Sequence, residues 1–410
     1  MGLSDRELKF ARAVERRRDS LLEDLRLHVG LPTGMGNSPA LDESRERFAA
    51  RCRDLGAVCE LIPGDPKPDW LDAWSRAGAA SAPDGPPPTL VCRRAGPPGV
   101  PHALIAGHLD TVHDPHGSFR QLSIAAGGAT ATGPGCVDMK GGLVIAMAAL
   151  EALAECGEPV GWTFMLNSDE ETGSFCSDRA LRAEAASGRY VAGLALEPAM
   201  SKGELAIERG GSGQFLIDCR GRAAHVGRDF AAGVSAVNAL AECIVSAAGL
   251  SRPAEGVCVN VGPLRCTTPP NVVPDRAWAW GNVRFPMPSA GASLERQLAQ
   301  LARDGLPHVA VTSTLNRPAK PMNGAVEQLG LLARGASEDL GRPLPFARTA
   351  GVCDGNNLQA AGLPTIDTLG VRGGGLHTTE EWVEIASLVE RATLFGVILL
   401  RIGSGRLAIG

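Results

Sequence analysis

His108, Asp110, Asp138, Glu170, Glu171, Glu197 and His377 each lie in a short glycine-flanked or acidic segment just past an apolar run. Two imidazoles, a central carboxylate able to bridge, two further carboxylates and one spare glutamate are the donors that a pair of divalent cations needs to bind and activate water. Such a donor set belongs to a hydrolytic site.

Each segment has its own local logic. Gly107-His108-Leu109-Asp110 follows the apolar run Ala103 to Ala106, which places His108 at the carboxyl end of a strand, where ligands collect in open α/β sheets. Asp110, two residues on, lies on the same side of an extended backbone and is expected to accept the second imidazole N–H, fixing the tautomer. Asp138 closes the loop Gly133-Pro134-Gly135-Cys136-Val137 and opens a helix whose first turn carries Gly141-Gly142. Helical glycines cost stability, and close approach of another backbone would justify them. Asp169-Glu170-Glu171 ends another apolar run. Adjacent like charges there raise carboxylate pKa values unless a metal offsets them. Neighbouring side chains diverge, so one glutamate can ligate while the other faces the bound water as general base. Glu197 again ends an apolar strand, and His377 follows Gly373-Gly374-Gly375.

The elements that must position these residues alternate. Short β-type runs at Leu90 to Cys92, Ala103 to Ala106, Trp162 to Asn167, Gly193 to Leu196 and Thr365 to Leu369 are mostly separated by helical segments, clearest at Met139 to Leu153 and Phe175 to Ala186. This predicts an α/β fold with a mostly parallel sheet covered by helices. A capping box at Ser4 and Glu7 predicts a helix running to about Leu27, and a second is expected from Leu41 to Leu55. Pro63 to Pro101, rich in Pro, Gly and Asp and carrying Trp70 and Trp74, reads as an irregular surface excursion. Between Gly213 and Leu315 the order changes to strand 214–219, helix 235–249, strands 257–262 and 277–285, helix 292–303 and strand 308–315. That βαββαβ series predicts a smaller α+β domain, residues 210–320, inserted into a catalytic domain of residues 1–209 and 321–410.

A chain of 410 residues exceeds the size at which a single core stops growing. The net charge of -5 and pI near 6.0 remove the basic footprint that nucleic acid requires. The charged N-terminus and the lack of an 18-residue apolar stretch predict a cytoplasmic protein without a membrane partner. Eleven scattered cysteines with no C-x-x-C pair fit reduced, buried thiols better than a disulfide framework.

Taken together and in this order, Gly107-His108-Leu109-Asp110, Asp138-Met139-Lys140-Gly141-Gly142, Asp169-Glu170-Glu171-Thr172-Gly173 and Leu196-Glu197-Pro198 resemble the dinuclear metallohydrolase family. That family includes bacterial folate-cleaving glutamate carboxypeptidase, acetylornithine deacetylase, succinyl-diaminopimelate desuccinylase and aminoacylase, and the match spans Leu104 to Glu384. The resemblance implies that His108 and Glu197 bind one metal, that Glu171 and His377 bind the other, and that Asp138 bridges them. It makes Glu170 the general base and Asp110 the residue that orients His108, and it implies a cis peptide after Asp138. It further implies that the inserted domain dimerises and that His225, in Gly221-Arg222-Ala223-Ala224-His225, reaches across the homodimer to the substrate carbonyl. Asn271 and Arg284 resemble the positions that hold a substrate carboxylate, for which a planar guanidinium is suited. One departure is Cys353 in Gly351-Val352-Cys353-Asp354-Gly355-Asn356-Asn357. Cys353 and Cys136 fall near the expected metals, and both read as small buried hydrophobes.

The expected function is therefore metal-dependent hydrolysis of an amide bond in a small N-acyl amino acid or dipeptide-like substrate with a free carboxylate. Two divalent ions serve as cofactors, zinc ahead of cobalt or manganese. An acetylornithine-type deacetylase and an aminopeptidase are the rivals within the same chemistry. A non-catalytic ligand-binding protein is the rival outside it, disfavoured because neither the base nor any ligand is missing.

Overall fold

The computed structural model describes residues 2–74 and 85–407. Its central sheet runs, from edge to edge, Val58–Ile62, Thr89–Arg94, Trp162–Asn167, Ala103–His108, Ala192–Ala195 and Thr365–Ile366. The last four strands pair parallel, while the first two join antiparallel. Ala103–His108 and Trp162–Asn167 are buried along their whole length, as an apolar run covered on both faces requires. Alternation along them separates two cores. Ile105, Phe164 and Leu166 belong to the large core that includes helices Lys140–Glu155 and Ala386–Gly403. Leu104, Ala106 and Met165 face a smaller one with Leu181 of helix Asp178–Ala185 and Leu358 of helix Asp354–Ala360.

A smaller α+β unit follows the expected order: Gly211–Arg220, Ala236–Ala248, Cys258–Arg265, Arg276–Phe285, Pro288–Ala299 and His308–Arg317. Its strands form one antiparallel sheet around Phe215, Ile217, Leu240, Ala279, Leu294 and Val309. The chain enters and leaves this unit side by side, because Arg209 and Lys320 exchange backbone hydrogen bonds of 2.9 Å in both directions. Buried Asp367 accepts from Arg209 Nη2 at 2.7 Å and pairs with Lys320 Nζ at 3.3 Å, pinning the crossing to the main body.

One expectation needs correction. The N-terminal helix is two, Asp5–Glu15 and Arg18–Val29. The first packs chiefly on the C-terminal helix, with Phe10 against Gly396, and the second chiefly on helix Lys140–Glu155, although each also touches the other's main partner. Tertiary packing, with a different main partner for each helix, overrides a continuous local propensity. The β-type run expected at Leu90 to Cys92 is the strand Thr89–Arg94, and the described part of the excursion before it leans on the smaller unit through Trp280 Nε1, which donates to the Trp70 carbonyl at 2.7 Å. Residues 75–84 of that stretch lie outside the described residues. Finally, Val58–Ile62 and Leu205–Arg209 are strands that the sequence reading did not anticipate.

The N- and C-terminal segments are tied by a buried cluster. Arg401 Nε donates to Glu7 Oε1 and Nη2 to Asp339 Oδ2, both at 2.7 Å. Arg401→Ala leaves buried Glu7 with only the exposed Arg406, 3.9 Å away, as a counter-charge, so a loss of roughly 3–5 kcal/mol in unfolding free energy is expected from urea denaturation. A loss below about 1 kcal/mol, the range of a surface pair, would show that water compensates Glu7.

Candidate metal centre

Three adjacent parallel strands deliver candidate ligands at their carboxyl ends. His108 is the last residue of Ala103–His108, Glu197 follows Ala192–Ala195, and the 3-10 turn Glu170–Thr172 follows Trp162–Asn167. Asp138 comes from the loop preceding helix Lys140–Glu155, and the Asp138-Met139 peptide is cis, as the resemblance implied. His377 comes from the turn between Gly373–Gly374 and Trp382–Glu384. Its φ of 62° lies in the left-handed region, a conformation costing a non-glycine residue roughly 1–2 kcal/mol. Such outliers concentrate at functional sites.

These residues form two groups that share Asp138. Ligand atoms of His108, Asp138 and Glu197 lie within 4.8 Å of one another, as do those of Asp138, Glu171 and His377. His108 Nε2 approaches Asp138 Oδ1 at 3.3 Å, and His377 Nε2 stands 3.4 Å from Asp138 Oδ2 and 3.5 Å from Glu171 Oε2. Among the described residues, His108 Nε2, Asp138 Oδ1 and Glu171 Oε1 are buried and lack any hydrogen-bond partner. Buried polar atoms are seldom left unpaired. Three of them converging on one small volume fit a pair of divalent cations, and the mixed imidazole and carboxylate donors suit zinc, cobalt or manganese.

Electrostatics point the same way. Burial pushes Glu171 up to about 9, with Asp138 and Glu170 adding to the rise. Burial also lifts Glu197 well above the usual carboxylate range, with Glu170 close by. His108 is raised despite burial, because Asp110 and Asp138 outweigh the desolvation of its imidazolium. So many carboxylates crowded in low dielectric need a compensating positive charge.

Asp110 stands against the His108 ring with two acceptors. His108 Nδ1 is 2.9 Å from the backbone carbonyl of Asp110 and 3.5 Å from its carboxylate Oδ1. The carbonyl is thus the acceptor that fixes the ring. The carboxylate instead receives the backbone N–H groups of Glu170 at 3.3 Å and Glu171 at 3.0 Å, so it anchors the acidic turn. The paired glycines meet their expectation: a Cβ on Gly142 would sit 2.3 Å from the Leu196 carbonyl oxygen, beside Glu197.

Two residues that the sequence reading missed complete the surroundings. Buried Glu381 accepts from the backbone N–H groups of Gly135, Val137 and Asp138 at 2.8–3.0 Å, and His113 Nε2 lies 2.6 Å from it. It thereby holds the loop that carries Asp138. Pairing of Trp382 with Thr132 ties the His377 turn to the same loop. Arg317, the last residue of its strand in the smaller unit, donates from Nη2 to Glu170 Oε1 at 2.6 Å and from Nη1 to Asp354 Oδ1 at 2.7 Å. Ser174 bridges this pair, accepting from Arg317 and donating to Asp354. Burial nevertheless pushes Glu170 up to about 7 against the pull of Arg317 and His108.

A cavity of about 520 Å³ opens over Asp138, Glu170, Glu171, Glu197 and His377, and Arg209 and Thr349 form part of its wall. The same two residues border a second cavity of about 230 Å³ that contains Arg284 and Arg348. His225 and Asn271 line neither. They sit together, exposed, on a two-stranded ribbon in which His225 pairs with Val272. Cys136 and Cys353 are buried, and burial raises both thiols, as the reading of them as small hydrophobes requires. Among the described residues no helix is long and apolar enough to cross a membrane.

Comparison with known proteins agrees with this geometry. Carboxypeptidase G2 of Pseudomonas sp. (strain RS-16) is 27% identical over 316 residues, covering 75% of either chain. The aminopeptidase PepT from Bacillus cereus has a TM-score of 0.70 at 21% identity, over 94% of this chain and 98% of its own. The M20 family metallo-carboxypeptidase Sso-CP2 from Sulfolobus solfataricus also has a TM-score of 0.70, at 14% identity, over 94% of this chain and 99% of its own. Residues 104–401 match the model of Peptidase family M20/M25/M40, and the chain, a metal-dependent hydrolase, belongs to that family.

Proposed function

We propose that this protein hydrolyses the amide bond of a small N-acyl amino acid or dipeptide-like substrate bearing a free carboxylate, in the manner of a glutamate carboxypeptidase. The observation that carries this reading is the pair of adjoining cavities, one over the metal ligands and one containing Arg284, with Arg209 and Thr349 shared between them. A scissile amide in the first then leaves its carboxylate within reach of guanidinium groups in the second. Kinship with carboxypeptidase G2 supports the same substrate class.

In this reading His108 and Glu197 hold one ion, Glu171 and His377 the other, and Asp138 both. A bound ion pair lowers the pKa of coordinated water and polarises the substrate carbonyl. Glu170 accepts the proton of the attacking water and returns it to the leaving nitrogen. Arg317 engages Glu170 Oε1, so proton transfer falls to the other oxygen. Residues 210–320 act as an inserted domain that pairs two copies of the chain. His225 and Asn271, exposed on their ribbon, then reach the partner's substrate, where His225 donates to the carbonyl oxygen as it gains charge.

The deciding experiment is release of amino acid from N-acyl glutamate, aspartate, ornithine and aromatic amino acids, with zinc, cobalt or manganese added. Activity is expected on acyl-amino acids with a free α-carboxylate, with KM raised about 10-fold or more in Arg284→Ala, because loss of a charge-assisted pair costs about 1.5–3 kcal/mol. Equal turnover of substrates whose carboxylate is amidated would instead favour the aminopeptidase.

A further inference from the structure

A second cationic cavity, of about 260 Å³, lies beside the C-terminal helix, and Lys202, Arg342, Arg372, Arg391 and Glu390 form part of its wall. Two carboxylates offset part of that charge. Glu390 receives Arg342 and Arg372, each at 2.6 Å, and Glu384 receives Arg372 Nε at 2.8 Å. Arg391 differs from the other two guanidinium groups. It is 4% exposed, its Nη2 donates to the Gly203 carbonyl at 3.1 Å, and its buried Nε and Nη1 have no acceptor among the described residues. A buried guanidinium with two idle N–H groups is costly, and a structure tolerates it where an anion completes the pairing. Four cations against two carboxylates leave the wall with excess positive charge.

We propose that this cavity binds a small oxyanion, a phosphate or carboxylate group, at a site separate from the metal centre. Arg391 and Lys202 provide the uncompensated charge, and Arg342 and Arg372 border it. Burial, followed by repulsion from Arg372, holds Arg391 down at about 10 against the pull of Glu390 and Glu384, so the nearby carboxylates do not fully offset its desolvation. The position also matters for function. Lys202 and Gly203 continue directly from Met200 and Ser201, and Arg372 leads directly into Gly373 and Gly374; these four neighbours line the metal cavity. An anion here therefore contacts both segments that run on to Glu197 and His377.

The test is calorimetric titration of the metal-loaded protein with inorganic phosphate and, separately, with succinate. Wild-type protein is expected to show a saturable site for at least one of them that is weakened 10-fold or more in Arg391→Met and in the double variant Lys202→Ala/Arg342→Ala. Any phosphate bound at the metals persists in both variants and so serves as the internal reference. The double variant changes only partly exposed side chains, and it decides the matter if Arg391→Met fails to fold. Preference for phosphate over succinate, or the reverse, identifies which oxyanion the cavity takes. Wild-type protein that binds neither anion, or variants that bind both as tightly as wild type, would overturn the proposal.

Discussion

Glu170→Ala is expected to lower kcat by about 100-fold or more, the usual contribution of a positioned general base, while the protein retains its full metal content. Glu170 contributes no ligand atom to either group of candidate metal donors, so metal analysis should not distinguish the variant from wild type. Its contact with Arg317 introduces a structural consequence that must be separated from the chemical one. Glu170→Gln keeps an oxygen for the guanidinium but cannot take a proton. If both variants lose turnover equally, proton transfer is the cause. If Glu170→Gln stays near wild type while Glu170→Ala falls, Glu170 serves only to hold Arg317, and the role assigned to it fails.

Removal of metal is expected to have the larger effect, a drop on the order of 1,000-fold in rate, because bound cations supply several kcal/mol of transition-state stabilisation. Activity should return on adding zinc, cobalt or manganese. Chelation should also change how stability depends on pH. Glu170, Glu171 and Glu197 have folded-state pKa values above the 4.5 of a free glutamate. Between 4.5 and the raised values the unfolded chain binds fewer protons than the folded one, so the metal-free protein loses stability as pH rises. His108, raised above 6.5, contributes stability that is likewise lost with rising pH. The melting temperature of chelated protein should therefore fall from pH 5 towards pH 9, and the gap to the metal-loaded form should widen. A gap that narrows over this interval would mean that the cluster is not ionising as its burial requires.

Much of the candidate centre was legible because each candidate ligand sits in a local context that announces it. Strand ends, acidic clusters and glycine-flanked loops are read from a few consecutive residues, and His108, Asp138, Glu171, Glu197 and His377 all had such a context. Arg317 and Glu381 had none. Arg317 reaches Glu170 across 147 positions, and Glu381 accepts from Val137 across 244, so their roles exist only once the chain is folded. Asp110 shows a subtler limit. Its place beside His108 was correct, but an extended backbone brings both a carbonyl and a carboxylate near the ring, and spacing does not distinguish them. The break between the first two helices was invisible for a similar reason, since no glycine or proline marks it and docking alone selects it.

The five candidate metal donors all belong to the main body, where Glu381 and the small sheet around Trp382 brace the loops that carry Asp138 and His377. Arg317 and Asn316 reach the acidic turn from the other side of the Arg209–Lys320 crossing, Arg317 at Glu170 and Asn316 at the Gly173 carbonyl. Any displacement of that strand therefore acts, through these hydrogen bonds, on the turn that carries Glu170 and Glu171 and on none of the other four candidate donors.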